Sequence, residues 1–120
     1  MNIDRYAIGL EWKQLRQGGQ SERYFSLVRP KSDEPSPTVT AMGGTVGAAS
    51  VTHPDSPRKF TLVELRRLSG FPDDFALVTA NPASPAQDYR ARWERIGRAV
   101  PPPMMYAVAK AIREGVLEKL

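Results

Sequence analysis

The chain changes character near residue 58, and that change limits its possible folds more than any other feature. Before it lie most of the glycines and two short β-prone runs, SERYFSLV at Ser21–Val28 and PTVTAM at Pro37–Met42, with the polar, proline-containing PKSDEPSP at Pro30–Pro37 between them. Runs of this kind bounded by turn formers predict short strands joined by loops. A short helix over Leu10–Gln17, ended by Gly18 and Gly19, is expected to precede them. The first half should therefore be irregular and β-containing.

After residue 58 the signals are helical. Thr61 and Glu64 fit a capping box, in which the threonine oxygen accepts the amide three residues on and the glutamate reaches back to the threonine amide. Leu62, Leu65 and Leu68 recur every third residue and predict an inward stripe on a helix from Leu62 to about Ser69, stopped by Gly70 and Pro72. Tyr89, Trp93 and Ile96 mark a second helix from about Ala86 to near Gly97. Pro101, Pro102 and Pro103 cannot continue it, because each lacks an amide donor and restricts the residue before it. Pro103 can instead sit in the first turn of a third helix, whose apolar face is Met105, Val108, Ala109, Ile112 and Val116. Tyr89, Trp93, Met104 and Met105 read best as core residues, since large apolar side chains at helical spacing contribute most to burial.

At 120 residues the chain is sized for one small domain with a modest core. Seventeen Lys and Arg against 13 Asp and Glu give a net charge of +4, with Arg well ahead of Lys. Guanidinium groups pair with phosphates and guanine edges in a fixed fork, so this balance suits a polyanionic partner and equally a solvated basic surface. There is no cysteine and one histidine, His53, which excludes disulfides and thiolate metal sites and argues against a protein-only zinc site. No stretch approaches the roughly 20 apolar residues of a membrane span, and the opening MNIDRYAIGLEW lacks a signal-peptide layout. A cytoplasmic protein is expected.

Two blocks carry a resemblance. Arg58-Lys59-Phe60-Thr61 followed by Gly70-Phe71-Pro72-Asp73, and then Ile96-Gly97-Arg98-Ala99-Val100-Pro101-Pro102, resemble the last two conserved blocks of the cytosine-5 DNA methyltransferases, in the family's order. Upstream, Gly18-Gly19-Gln20-Ser21-Glu22-Arg23 and Thr38-Val39-Thr40-Ala41-Met42-Gly43-Gly44 are similar to the two recognition loops of a small family member. The first 17 residues match no named motif.

The resemblance implies an α+β fragment: a target-recognition-like region at 1–57, then three helices over 58–120, together the C-terminal part of an α/β methyltransferase. It implies double-stranded DNA as partner, S-adenosylmethionine as cofactor of the complete enzyme, and a restriction-modification setting. Gln20 would fill the vacancy left by a flipped cytosine. Arg23 would contact a guanine edge, Thr38 a phosphate, and Met42, Gly43 and Gly44 would bring the second loop to the groove. Phe71, Arg98, Ala99 and Val100 match positions lining the cofactor pocket, with arginine at 98 where most members have asparagine.

Each assignment has a structural alternative: Gly18 and Gly19 as a helix stop, Arg23 as a solvated residue, and Gly43, Gly44 and Gly47 as a turn, since no Lys-Ser or Lys-Thr pair follows to make a phosphate loop. The family's glycine-containing cofactor turn, its Pro-Cys block and its Glu-Asn-Val block have no counterpart in these residues. Without the cysteine thiolate that attacks carbon 6 of the base, the chain cannot methylate alone. It is expected to pair with a separate catalytic polypeptide or to self-associate through the last helix; the alternatives are a non-catalytic DNA-binding module and an inactive remnant.

Overall fold

A computed structural model describes all residues from Met1 to Leu120. Four α-helices follow one another, α1 (Ala7–Gln14), α2 (Leu62–Leu68), α3 (Pro85–Arg98) and α4 (Pro102–Gly115), with short 3₁₀ turns at Ala41–Gly44 and Leu117–Lys119. No strand of two or more paired residues forms. Backbone pairing between distant segments is confined to single bridges joining Asn2 to Arg58, Gln20 to Val28 and Val28 to Val51.

The expected strands are therefore corrected. Ser21–Val28 closes on itself instead of extending: the Leu27 amide donates to the Tyr24 carbonyl at 2.7 Å, and the Ser21 hydroxyl accepts from the amides of Arg23 and Tyr24. Local side-chain bonds of this kind compete with a strand ladder. Pro37–Val39 has no regular structure, and Thr40, extended at ψ 150, leads into the 3₁₀ turn. The first helix lies earlier than expected, over Ala7–Gln14 instead of Leu10–Gln17, because Leu15 is already extended at ψ 133. Gly18, at φ +81, then serves the turn that follows, a left-handed conformation that glycine adopts without steric cost.

The three C-terminal helices stand close to their expected ranges. In α2, Thr61 Oγ1 accepts the Glu64 amide at 3.2 Å while the Glu64 carboxylate accepts the Thr61 amide at 2.8 Å. Gly70 closes the helix at φ +73. Ser84 caps α3, accepting the Gln87 amide. Of the α2 stripe, Leu65 is fully buried whereas Leu68, which borders an open groove with Thr38 and Met104, is half-exposed.

Two apolar clusters hold the body together. One gathers Val51, Phe60, Leu65, Tyr89, Trp93 and Ile96, with Val39, Phe71 and Leu77 at its edge. The other gathers Ile3, Ile8, Trp12 and Leu27, with Tyr24 beside them. Buried indole and phenol groups keep partners: Trp93 Nε1 donates to the Thr40 carbonyl at 2.9 Å, Trp12 Nε1 to Thr52 Oγ1 at 2.9 Å, and the Tyr89 hydroxyl to the Phe60 carbonyl at 2.6 Å. Packing crosses residue 58, for Val39 and Val51 join the first cluster and the Lys59 amide donates to the Met1 carbonyl.

Helix α4 has no buried residue. Met104 and Met105, read from the sequence as core, are 60% and 49% exposed, because only the 3₁₀ turn that follows it packs on that helix. No helix is long and apolar enough to cross a membrane.

Candidate functional site

The first sequence block and the second meet where α2, α3 and the start of α4 converge. Gly70 lies against Pro103 so closely that a Cβ there would fall 2.7 Å from the proline ring. Between them, Phe71, Phe75, Leu77, Arg95, Ile96 and Ala99 line a cavity of about 140 Å³. The Phe71 and Phe75 rings stack at a tilt with centroids 4.8 Å apart. The loop carrying them is fixed to α2 by Asp73, which accepts two bonds of 2.8 Å from Arg67. Those bonds hold the Asp73 carboxyl below its ordinary range.

Of the four residues expected at the cofactor, Phe71 and Ala99 line this cavity and Arg98 and Val100 do not. Arg98 is exposed and paired with Glu94 one turn back at 2.7 Å; Val100 is half-exposed on the bend. Ile96, read from the sequence as a helix and motif residue, also lines it, as do Phe75, Leu77 and Arg95, which the sequence did not single out although apolar residues just after Gly-Phe-Pro-Asp were a usable signal. The lining is apolar apart from Arg95. The cavity's volume is well below the roughly 300–1,000 Å³ of a complete small-molecule site.

The segment Thr38–Gly44 packs directly on the same end of α3. A Cβ on Gly97 would lie 2.7 Å from the Ala41 backbone, and Thr38 shares an open groove with Gly97, Ala99 and Pro101. Thr38 is exposed, and so is Met42 at 68%. Gly43 and Gly44 are buried beneath Trp93, where added Cβ atoms would fall 2.6 and 2.7 Å from that side chain. Their lack of a side chain serves the approach of the 3₁₀ turn to α3, and Met42 is what the segment presents outward.

Gln20 and Arg23 lie on the turn that Leu27 and Tyr24 anchor in the other cluster. Gln20 donates its amide to the Phe25 carbonyl at 2.5 Å, within its own turn. Arg23 is exposed, has no ion pair, and lies with its guanidinium carbon 5.3 Å from the Tyr24 ring centroid.

Lys59 and Glu64, both in or beside the first block, are strongly perturbed. Lys59 is fully buried, donating to the Ala48 carbonyl at 2.6 Å and to Ser50 Oγ, and burial lowers its pKa to about 8. Glu64 takes two 2.8 Å bonds from Arg58, and these, with the Thr61 bonds, pull its pKa to about 2. Both anchor the block; neither lines the cavity.

The C-5 cytosine-specific DNA methylase family model matches residues 3–114. The chain belongs to this family. The putative type II methyltransferase M.OihORF3336P of Oceanobacillus iheyensis is 35% identical over 85 residues, 71% of this chain and 16% of that protein. Type II methyltransferase M.NgoFVII of Neisseria gonorrhoeae is 39% identical over 84 residues, 70% of this chain and 20% of that protein. Type II methyltransferase M.AquIB of a Picosynechococcus species is 32% identical over 114 residues, 88% of this chain and 79% of that protein. The chain thus spans a small part of the first two relatives and most of the third. No solved structure matches.

Proposed function

We propose that these residues form the DNA-recognition and cofactor-closing C-terminal part of a type II cytosine-5 DNA methyltransferase, which transfers a methyl group from S-adenosylmethionine to cytosine. The observation that carries this reading is the convergence of two separate sequence blocks on one apolar cavity, Phe71 from the first and Ala99 from the second, beside the Thr38–Gly44 segment. In this reading 1–57 reads the target and 58–120 closes the pocket. Phe71 and Ala99 form the wall, while Arg98 and Val100 shape the bend that leads into α4. Thr38 and Met42 face the duplex, Gln20 enters the vacancy of the flipped base after releasing the Phe25 carbonyl, and Arg23 meets a guanine edge. Gly43 and Gly44 hold the loop in place.

These 120 residues contain no cysteine, so the thiolate that attacks carbon 6 comes from other sequence, either the same protein's or a second polypeptide's. The match to most of M.AquIB, a relative not much longer than the aligned region, supports a separate polypeptide. The bare apolar face of α4 is a surface such a partner would cover. S-adenosylmethionine supplies the methyl group when bound; this chain's part is to hold and enclose it.

The test is co-expression with a family polypeptide carrying the Pro-Cys block, followed by transfer of labelled methyl groups to DNA. Activity requiring both halves is expected. Salt-sensitive DNA binding by this chain with no methylation in any pairing would leave it a non-catalytic DNA-binding module. Neither binding nor activity would overturn the reading.

A further inference from the structure

Beyond the recognition turns, a cleft of about 470 Å³ lies between α3 and the segment that follows Met42. Its only charged lining residue is Arg90, and no carboxylate borders it. Arg90 is exposed and makes no ion pair. Glu94, the acid one turn further along α3, is already taken by Arg98 at 2.7 Å.

The rest of the lining is rich in unused donors. Gln87 accepts the Ala83 amide through Oε1 at 2.8 Å, which leaves its Nε2 hydrogens without a protein acceptor. The Tyr6 and Thr45 hydroxyls and the Val46 and Gly47 amides likewise have no protein acceptor. Two glycines make this closeness possible. A Cβ on Gly44 would lie 3.0 Å from Arg90 Cα, and one on Gly47 would lie 3.1 Å from the Tyr6 ring.

We infer that this cleft binds a phosphate group, and that its source is a phosphodiester of duplex DNA flanking the target. A lone unpaired guanidinium among neutral donors, with no carboxylate to repel the ligand, matches the requirements of a phosphate oxygen cluster. The assignment to DNA rests on the proposed recognition role. It also rests on continuity, for the cleft begins at Gly44, two residues beyond the outward-facing Met42. The site adds affinity and register without reading sequence.

Amide spectra of the full chain and of Arg90→Gln, titrated separately with duplex DNA and with inorganic phosphate, test this alongside binding measured across a salt series. Duplex is expected to move the Val46 and Gly47 amides. Arg90→Gln should weaken binding several-fold on cognate and unrelated duplexes alike, with a salt slope shallower by about 0.9. Arg90 is exposed and unpaired, so the variant should fold normally. DNA binding that leaves both amides unmoved and is unchanged by Arg90→Gln would overturn the site while sparing the recognition role. Phosphate moving those amides in a chain that does not bind DNA would support the anion site and overturn its DNA assignment together with that role.

Discussion

Lys59 and Gly43 show how single positions in the motif segments serve packing. Lys59 is fully buried with no carboxylate among its bonded partners, so its lost hydration makes folding favour the neutral form. Its pKa of about 8 lies below the ordinary 10.5. Between those values the unfolded chain binds more protons than the folded one, and stability rises with pH across that window, by about 3 kcal/mol for the full shift. Above pH 10 the trend reverses, because burial raises the Tyr89 phenol and the unfolded chain loses that proton first. Urea midpoints should therefore climb from pH 8 to pH 10, and Lys59→Met should flatten the climb. At Gly43 an added methyl would meet Trp93 Nε1 at 2.6 Å and disturb its bond to Thr40. Gly43→Ala should cost about 1–3 kcal/mol in chemical denaturation, a loss that a glycine needed only at the DNA surface would not produce.

At the scale of elements, α2 is set by bonds that the sequence spells out. The reciprocal Thr61 and Glu64 bonds span three residues, and Arg58 completes them with a bidentate pair. Glu64 is held at a pKa of about 2 against an ordinary 4.5. The folded carboxylate therefore contributes stability above pH 4.5, and that contribution is lost as pH falls toward 2. Glu64→Gln should lower stability at pH 7 by about 1 kcal/mol, with partial exposure keeping the loss modest, and should reduce the acid sensitivity below pH 4.5 in a thermal series. Elements closed by such local bonds, α2 with its cap and α3 with Tyr89, Trp93 and Ile96 on one face, were legible in the sequence. The Ser21–Val28 turn was not, because its β-prone residues are overridden by bonds to the Ser21 hydroxyl and by Leu27 anchoring in a distant cluster. For the site, Phe71 and Ala99 were legible through their motif blocks. The burial of Lys59 and of the Gly43–Gly44 pair was not, since each depends on neighbours far along the chain.

The whole molecule is elongated, 58 × 37 × 21 Å, with a radius of gyration of 16.7 Å where a compact chain of this length would have about 14 Å. Helix α4 lies over none of the chain's own core, and Val108, Ile112 and Val116 stay 44–53% exposed on it. A face this apolar gains nothing from water, and covering it is worth roughly 25 cal/mol per Å². Its energy is therefore available to association and largely absent from the stability of the isolated body. The double change Val108→Asp with Ile112→Asp separates the two. The unfolding free energy of the isolated chain should hold within about 0.5 kcal/mol, because neither side chain is buried there. Methyl transfer restored by the partner polypeptide should fall about tenfold or more at limiting concentration, since each 1.4 kcal/mol of lost docking is a factor of ten in the complex. Restored activity that withstands both aspartates would mean the partner is held elsewhere on the chain.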